Sequence, residues 1–412
     1  MIKLIFCRVP GRSALLACAV AAAGLALAAC GTAPSSSAPA APGSQSSGPE
    51  TGTPSAPAGS ASPSATSGPG GFQVLSMTWV SDTQGFALGT TACGASSCLA
   101  LLGTTDGGSH WRGLTAPTRQ PGGVYSTCPH GGACAQQIRF VTPLIGYAFN
   151  PSLFVTTDGG LHWHRLPGTN VSSLEAANGT VAEVVSGGTG CAGQPYQVRS
   201  LQAGTAAGQV LAPPRIEMIC PPVLYRQGSR MVLVGYGNPA GGVRATATID
   251  RSADNGQTWS SGPDACGGKD GYASGVALAP PDTLVLLCQH QMPRHNGSYG
   301  PPWVRISTDG GATFGPDQML PAPPASGGYY HFQLAAASPT NLLVAETGQH
   351  GSQLEHTADG GRTWATALTM PGTAPVLLVG FEDPVTARIA QSDTVWTTTD
   401  AGATWQPNTF TG

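Results

Sequence analysis

Charge is what this chain has least of. Asp, Glu, Lys and Arg make up 9% of its 412 residues, and lysine occurs only as Lys3 and Lys269. Ordinary globular proteins carry about 25% charged residues. The net charge is −3, so no basic face exists to neutralise phosphates, which excludes a nucleic-acid partner. Aromatics are scarce, at 7%. The longest apolar run, Ala14–Ala29, is too short for a comfortable membrane span. No CxxC pair, Gly-rich phosphate loop or Ser-His-Asp signature occurs, so no metal and no cofactor are expected. What is abundant is Gly (58) and Pro (36). A chain so dense in turn formers predicts many short strands and no long helices.

The N-terminus reads as an address. Lys3, Arg8 and Arg12 precede the apolar run, which ends in Leu27-Ala28-Ala29-Cys30-Gly31. This resembles the lipobox of bacterial lipoprotein signal peptides. The resemblance implies removal of residues 1–29, acylation of Cys30 and a place on the outer face of a bacterial cell membrane. The alternative is a plain secretory signal with an incidental Cys30. Two or three acyl chains hold a protein on a bilayer far better than one. From Gly31 to Gly71 the chain is Ala, Pro, Ser, Gly and Thr apart from Gln45 and Glu50, its only charge. Such a segment cannot bury a core, so residues 30–71 read as a disordered tether.

The remaining residues, 72–412, repeat one motif: TTDGGSHW (Thr104–Trp111), TTDGGLHW (Thr156–Trp163), SADNGQTW (Ser252–Trp259), STDGGATF (Ser307–Phe314), TADGGRTW (Thr357–Trp364) and TTDAGATW (Thr398–Trp405). Asp and Ser/Thr side chains satisfy the amides of their own turn, and Gly supplies positive φ. The aromatic begins the next strand and packs into the core. Asp106, Asp158, Asp254, Asp309, Asp359 and Asp400 are therefore structural, and poor catalytic acids. The motif resembles the Asp-box, or BNR repeat, of sialidases and related β-propellers.

The aspartates lie 52, 96, 55, 50 and 41 residues apart. The interval of 96 is two periods, with a decayed copy at Ser200–Thr205, where Gln202 replaces Asp. Repeats of 40–50 residues with four strands each indicate a propeller. The expected fold is all-β, one seven-bladed β-propeller of four-stranded antiparallel blades. The pattern places strands at Ile138–Val141, Gly146–Phe149, Leu153–Thr157 and His162–Leu166. Later units give His331–Ala336, Leu342–Glu346, Gln353–Thr357 and Arg362–Leu368, then Val376–Phe381, Thr386–Ala390, Thr394–Thr399 and Ala403–Phe410.

Eight cysteines follow the tether, an even number suited to disulfides in an exported chain. The strand map places them all at the end of the ring opposite the repeated turns. It predicts the pairs Cys93–Cys98, Cys128–Cys134, Cys191–Cys220 and Cys266–Cys288. That end also carries the long loops 112–137 and 289–302. Its candidate ligand residues are His290, Arg294, His295, Tyr299 and Trp303, with Arg119 and Arg215. Tyr125, His130, Tyr196, Tyr236, Tyr329, Tyr330, His331 and His350 lie near them in topology. Aromatics with Arg and His suit a protein or glycan ligand.

A sialidase places an aromatic-Arg-Ile-Pro motif before its first box, three arginines on the substrate carboxylate and a Tyr nucleophile beside Glu. Here Pro214-Arg215-Ile216-Glu217 lacks the aromatic and the final Pro, and comes late. Glycosidases in general need two carboxylates across the bond. Glu217, Asp264, Asp270 and Glu346 are candidates, and none falls in a paired motif. The units also resemble non-enzymatic propellers of the photosystem II assembly-factor type, through Gly85-Phe86-Ala87 and Gly146-Tyr147-Ala148 before the boxes. That family holds protein partners. The expectation is a membrane-anchored binding module for a protein or glycan, with a sialidase-like hydrolase as the alternative. Oligomeric state is not legible.

Overall fold

The computed structural model describes residues 3–6, 17–23 and 71–410. Segments 94–95, 118–125, 128–134, 187–195, 206–207, 212–221, 238–245, 264, 267–270, 291–299, 322–330, 349–350 and 373 fall outside that description. Cys30 and the tether lie outside it too. Among the described residues every regular element is a strand.

The strands form antiparallel sheets in chain order. The first runs Gln73–Trp79, Gly85–Cys93, Ser96–Thr104 and Arg112–Leu114, and Ser126–Thr127 also pairs with Ser96–Thr104. The next opens with Gln137–Phe140, Gly146–Phe149 and Ser152–Thr156. Its long strand, His164–Ala177, serves twice. Residues 164–166 pair with Leu153–Val155, whereas Asn170–Ala177 pairs with Thr180–Ser186. Tyr196–Gln202 and Gly208–Leu211 complete that seven-stranded sheet. Then come Val223–Gln227, Arg230–Gly237, Thr246–Ser252 and Ser260–Pro263. The following sheet has Gly271–Ala279, Thr283–His290, Trp303–Ser307 and Gln318–Met319. Lys3–Phe6 pairs with Ala17–Ala23, and Ala21–Ala23 lies parallel to Gly275–Ala277. The last two sheets are His331–Ala336, Leu342–Gly348, Gly351–Thr357 and Ala365–Met370, then Leu378–Phe381, Ala387–Gln391, Thr394–Thr398 and Gln406–Thr409.

Alternating apolar residues give each sheet two buried faces. Consecutive sheets meet through them in cyclic order. Leu88 and Leu101 pack on Ile138 and Phe154. Val184 and Val198 pack on Leu224 and Leu233. Val232 and Ile249 pack on Val276 and Leu286, Leu287 and Val304 on Leu334 and Val344, and Leu354 on Val379 and Ile389. The ring closes where Phe72, Trp79 and Trp111 meet Val395 and Phe410. The Val74 N–H donates to the Ser392 carbonyl at 2.9 Å. Arg388 lies 3.5 Å over the Trp79 ring and donates to the Asp82 carbonyl. A ring of radial sheets with no open end is a β-propeller.

Innermost strands expose one row of backbone groups toward the axis. Hydroxyls of the preceding unit cap several of them. Ser76 accepts from the Ile138 N–H, Thr78 from Phe140 and Ser173 from Leu224, at 3.1, 3.4 and 3.1 Å.

The outermost strands begin two to three residues later than the motif predicts, at His164, Ala365 and Gln406. The aromatic belongs to the turn instead. The indole N–H of Trp111 donates back to the Gly108 carbonyl, as Trp259 does to Gly256 and Trp405 to Gly402. Nor are all the turn aromatics core. Trp111 and Trp405 are buried, while Trp163, Trp259, Phe314 and Trp364 are only half-buried.

Candidate ligand face

The two ends of the ring are chemically unlike. At one end sit the repeated turns, and each closes on itself. Thr104 Oγ1 donates to Asp106 Oδ1 at 2.8 Å and accepts from the Gly108 N–H at 3.0 Å. Asp106 Oδ1 accepts from the His110 backbone N–H at 2.9 Å. Ser307, Asp309, Gly311 and Thr313 repeat the pattern at 2.7, 2.7 and 2.9 Å. The residue after each aspartate then donates to the loop between the unit's first two strands, as Gly107 does to Thr83 and Gly360 to Thr340. That residue is left-handed in every copy, including Asn255 (φ 59°) and Ala401 (φ 64°). The following glycine is left-handed too and is tightly packed. A Cβ on Gly256 would meet Leu211 at 2.5 Å.

These bonds hold the carboxylates ionised. The hydroxyl and backbone N–H of Thr258, with Ser252, bring Asp254 down to about 2. The same groups of Thr363 and Thr404 bring Asp359 and Asp400 to about 2. Hydrogen bonds from His110 and Thr104 outweigh slight burial at Asp106, which also falls to about 2. Asp158 and Asp309 are lowered likewise. An acid held this far below neutrality neither gives nor takes a proton near pH 7.

The decayed copy keeps its shape by borrowing. The Ala203 N–H donates to Gly179, and Gly204 is left-handed (φ 84°), matching the two residues after each aspartate. The Gly204 N–H, which elsewhere meets the turn's own Ser or Thr, instead donates to the Tyr147 hydroxyl at 2.7 Å. A side chain from the neighbouring unit replaces the local one.

The opposite end carries the covalent and irregular chemistry. Cys93–Cys98 and Cys266–Cys288 are disulfides. The pairs expected for Cys128, Cys134, Cys191 and Cys220 lie outside the described residues, as do Arg119, Arg215, Arg294, His295 and Tyr299. Of the expected ligand residues, His290 and Trp303 are described. They touch, with ring centroids 5.0 Å apart. Trp303 is buried rather than displayed, its ring beside Gly271 and the cystine strand.

One unit differs from the rest in its buried charges. Elsewhere buried or half-buried glutamates face arginines: Arg139 pairs with Glu175, Arg199 with Glu183 and Arg388 with Glu382. In the 331–370 sheet, Glu346 and Glu355 are 6% and 5% exposed and no described arginine or lysine pairs with either. Both share the face toward the 271–319 sheet, since Glu355 lies opposite Val344 on that face. Thr366 donates to Glu355 at 2.9 Å. Burial, and then the Glu355 charge, push Glu346 up to about 7.

The other face of the same unit, toward the 378–409 sheet, is also polar at this end. Gln333 is 2% exposed, and its Oε1 has no partner among the described residues. His331, two residues earlier on the same face, has an unpartnered buried Nδ1, and burial lowers its pKa. Thr347 and Ser352 join hydroxyls at 3.0 Å, and Gln391 Nε2 donates to Ser352 and to the Ala374 carbonyl. His331 and Glu346 were legible as open-face candidates. Gln333, Glu355 and Gln391 were not, although polar residues two apart in His331-Phe332-Gln333 mark one strand face.

No family model and no curated protein matches this chain. Solved structures match over most of its length. The structure of YCF48 bound to D1 peptide is 18% identical, with 82% of this chain and 96% of that one covered and a TM-score of 0.54. YCF48 from Cyanidioschyzon merolae is 14% identical over 80% and 94%, with a TM-score of 0.50. A GH74 enzyme from Niastella koreensis is 15% identical over 81% and 65%, with a TM-score of 0.36. The YCF48 likeness shows a shared β-propeller fold.

Proposed function

We propose that this chain is a lipid-anchored, extracytoplasmic, seven-bladed β-propeller that binds a polypeptide on the end opposite its repeated turns and catalyses no reaction. The observation that carries the reading is the division of polar chemistry between the two ends. Turn carboxylates are fully engaged, whereas the far end of the 331–370 sheet holds the Glu346 carboxyl, the Gln333 amide oxygen and the His331 Nδ1 buried with no complementary partner among the described residues. Such groups are costly unless something completes them. Seven apolar clusters in cyclic order support the blade count. Leu27-Ala28-Ala29-Cys30 and the uncharged tether support the anchor. A YCF48 propeller bound to a peptide is a precedent for peptide recognition on this fold, carried over by analogy alone.

The glycan-hydrolase alternative has one specific support: Glu346, raised toward neutrality, lies in the same interface as Glu355. Both acids are buried between sheets rather than flanking a cleft, which favours binding over turnover. The test incubates the mature chain, from Cys30 onward, with a peptide library, a glycan array and fluorogenic glycosides. Saturable peptide binding without glycoside turnover is the expected result. Turnover abolished by Glu346→Gln would establish the hydrolase instead. Acylation of Cys30 is read by mass spectrometry of the membrane fraction, and it disappears in Cys30→Ser.

A further inference from the structure

We propose that the seam between the 331–370 and 378–409 sheets, at the end opposite the turns, receives the guanidinium of an arginine on the partner polypeptide. This rests on the peptide-binding reading above and names the partner's chemistry. Three observations converge on it. First, Gln333 Oε1 and His331 Nδ1 are buried, unpartnered among the described residues, and on one face of one inner strand. Residues two apart on a strand stand roughly 6.5–7 Å apart, a span that a forked donor bridges better than a point charge. Neutral imidazole and an amide oxygen both accept.

Second, two donors of this seam are already engaged. Gln391 Nε2 is bound to Ser352 and Ala374, and the Val376 N–H to Thr347. The unpartnered atoms here are acceptors, and a group with several N–H bonds fits both. Third, no described cation offsets the carboxyl groups of this unit. Glu346 and Glu355 lie across the same sheet with no described arginine or lysine beside them, while Glu175, Glu183 and Glu382 each have one. Fields between buried groups are weakly screened by salt. A cation entering this seam meets acceptors directly and two carboxyl groups behind them.

The probes are Gly/Ser/Ala nonapeptides with one central Arg, Lys, citrulline or Glu, titrated against the mature chain by saturation-transfer NMR. The expected order is Arg tightest, with citrulline about tenfold weaker, since it keeps the shape and loses the charge. Gln333→Leu weakens the Arg peptide about tenfold, and Glu346→Gln weakens it by a smaller factor. Melting curves establish that each variant is folded. If Gln333→Leu does not fold, His331→Phe takes its place and loses binding likewise. Equal binding of Arg and citrulline peptides overturns the proposal, as does an Arg peptide indifferent to a folded Gln333 or His331 variant. A Lys peptide as tight as Arg overturns the assignment to guanidinium. Binding of neutral or Glu peptides alone overturns the proposal yet leaves peptide recognition standing. Silence from every peptide removes both.

Discussion

The two ends of this ring solve the same problem in opposite ways. Each repeated turn meets most of its polar needs within a few residues, and hydrogen bonds hold its aspartate below the usual carboxylate range. At the other end, burial pushes Glu346 up to about 7, and Gln333 Oε1 has no partner among the described residues. Local satisfaction makes a rigid, inert rim. Unmet demand makes a surface with a use for something else. A copied motif is therefore evidence for construction, and the place where copies diverge is the place to look for recognition.

The comparison breaks most violently at the ring closure. Trp111 is 2% exposed and packs on Trp79 and Phe410. Trp111→Ala should cost about 3–5 kcal/mol by urea unfolding. The same change at half-buried Trp364 should cost well under half of that, so equal losses would remove the distinction between turn copies. Next comes the borrowed hydroxyl. Tyr147→Phe leaves the Gly204 N–H unbonded and should cost about 1–2 kcal/mol. Tyr→Phe at Tyr272, whose hydroxyl bonds the Gln289 side chain at 3.2 Å at a half-buried position, should cost less.

The far end should also report itself through pH. An unfolded glutamate loses its proton near 4.3, whereas folded Glu346 holds it to about 7. The stability from this group is fully present below the lower value and is lost as pH rises to the upper one. Raising the pH from 5 to 8 should cost about 2–3 kcal/mol at this site. Glu346→Gln should flatten the slope, whereas Asp359→Asn should leave it unchanged between those values. The smallest effect belongs to the turns. Ala401 holds φ 64° where most copies have glycine, so Ala401→Gly should stabilise by about 0.5–1 kcal/mol, read as a rise in Tm. No rise would mean that Ala401 carries no strain.

How much was legible follows from distance along the chain. The turn motif was readable because Thr104, Asp106, Gly108 and His110 bond one another within four residues. The strand His331–Ala336 was readable to the residue, and two cystines followed from the strand map. The outermost strands were placed early because an indole bond back into the turn is invisible to periodicity. Trp303 read as a displayed aromatic because loop proximity suggests exposure. Its burial depends on Gly271 and the Cys288 strand.

Sequence by itself determined the turns, the alternation that makes two-faced sheets and the repeat that stacks them. All of these rest on residues close enough to interact before the chain is folded. Only the tertiary structure decided that Tyr147 completes a turn 57 residues away and that Arg388 reaches Trp79 and Asp82 across the closure. It alone decided that Glu346 and Gln333 are buried without complementary charge or donor. The reason is that partnership and desolvation belong to neighbours in space, and a ring brings together residues that the chain holds far apart.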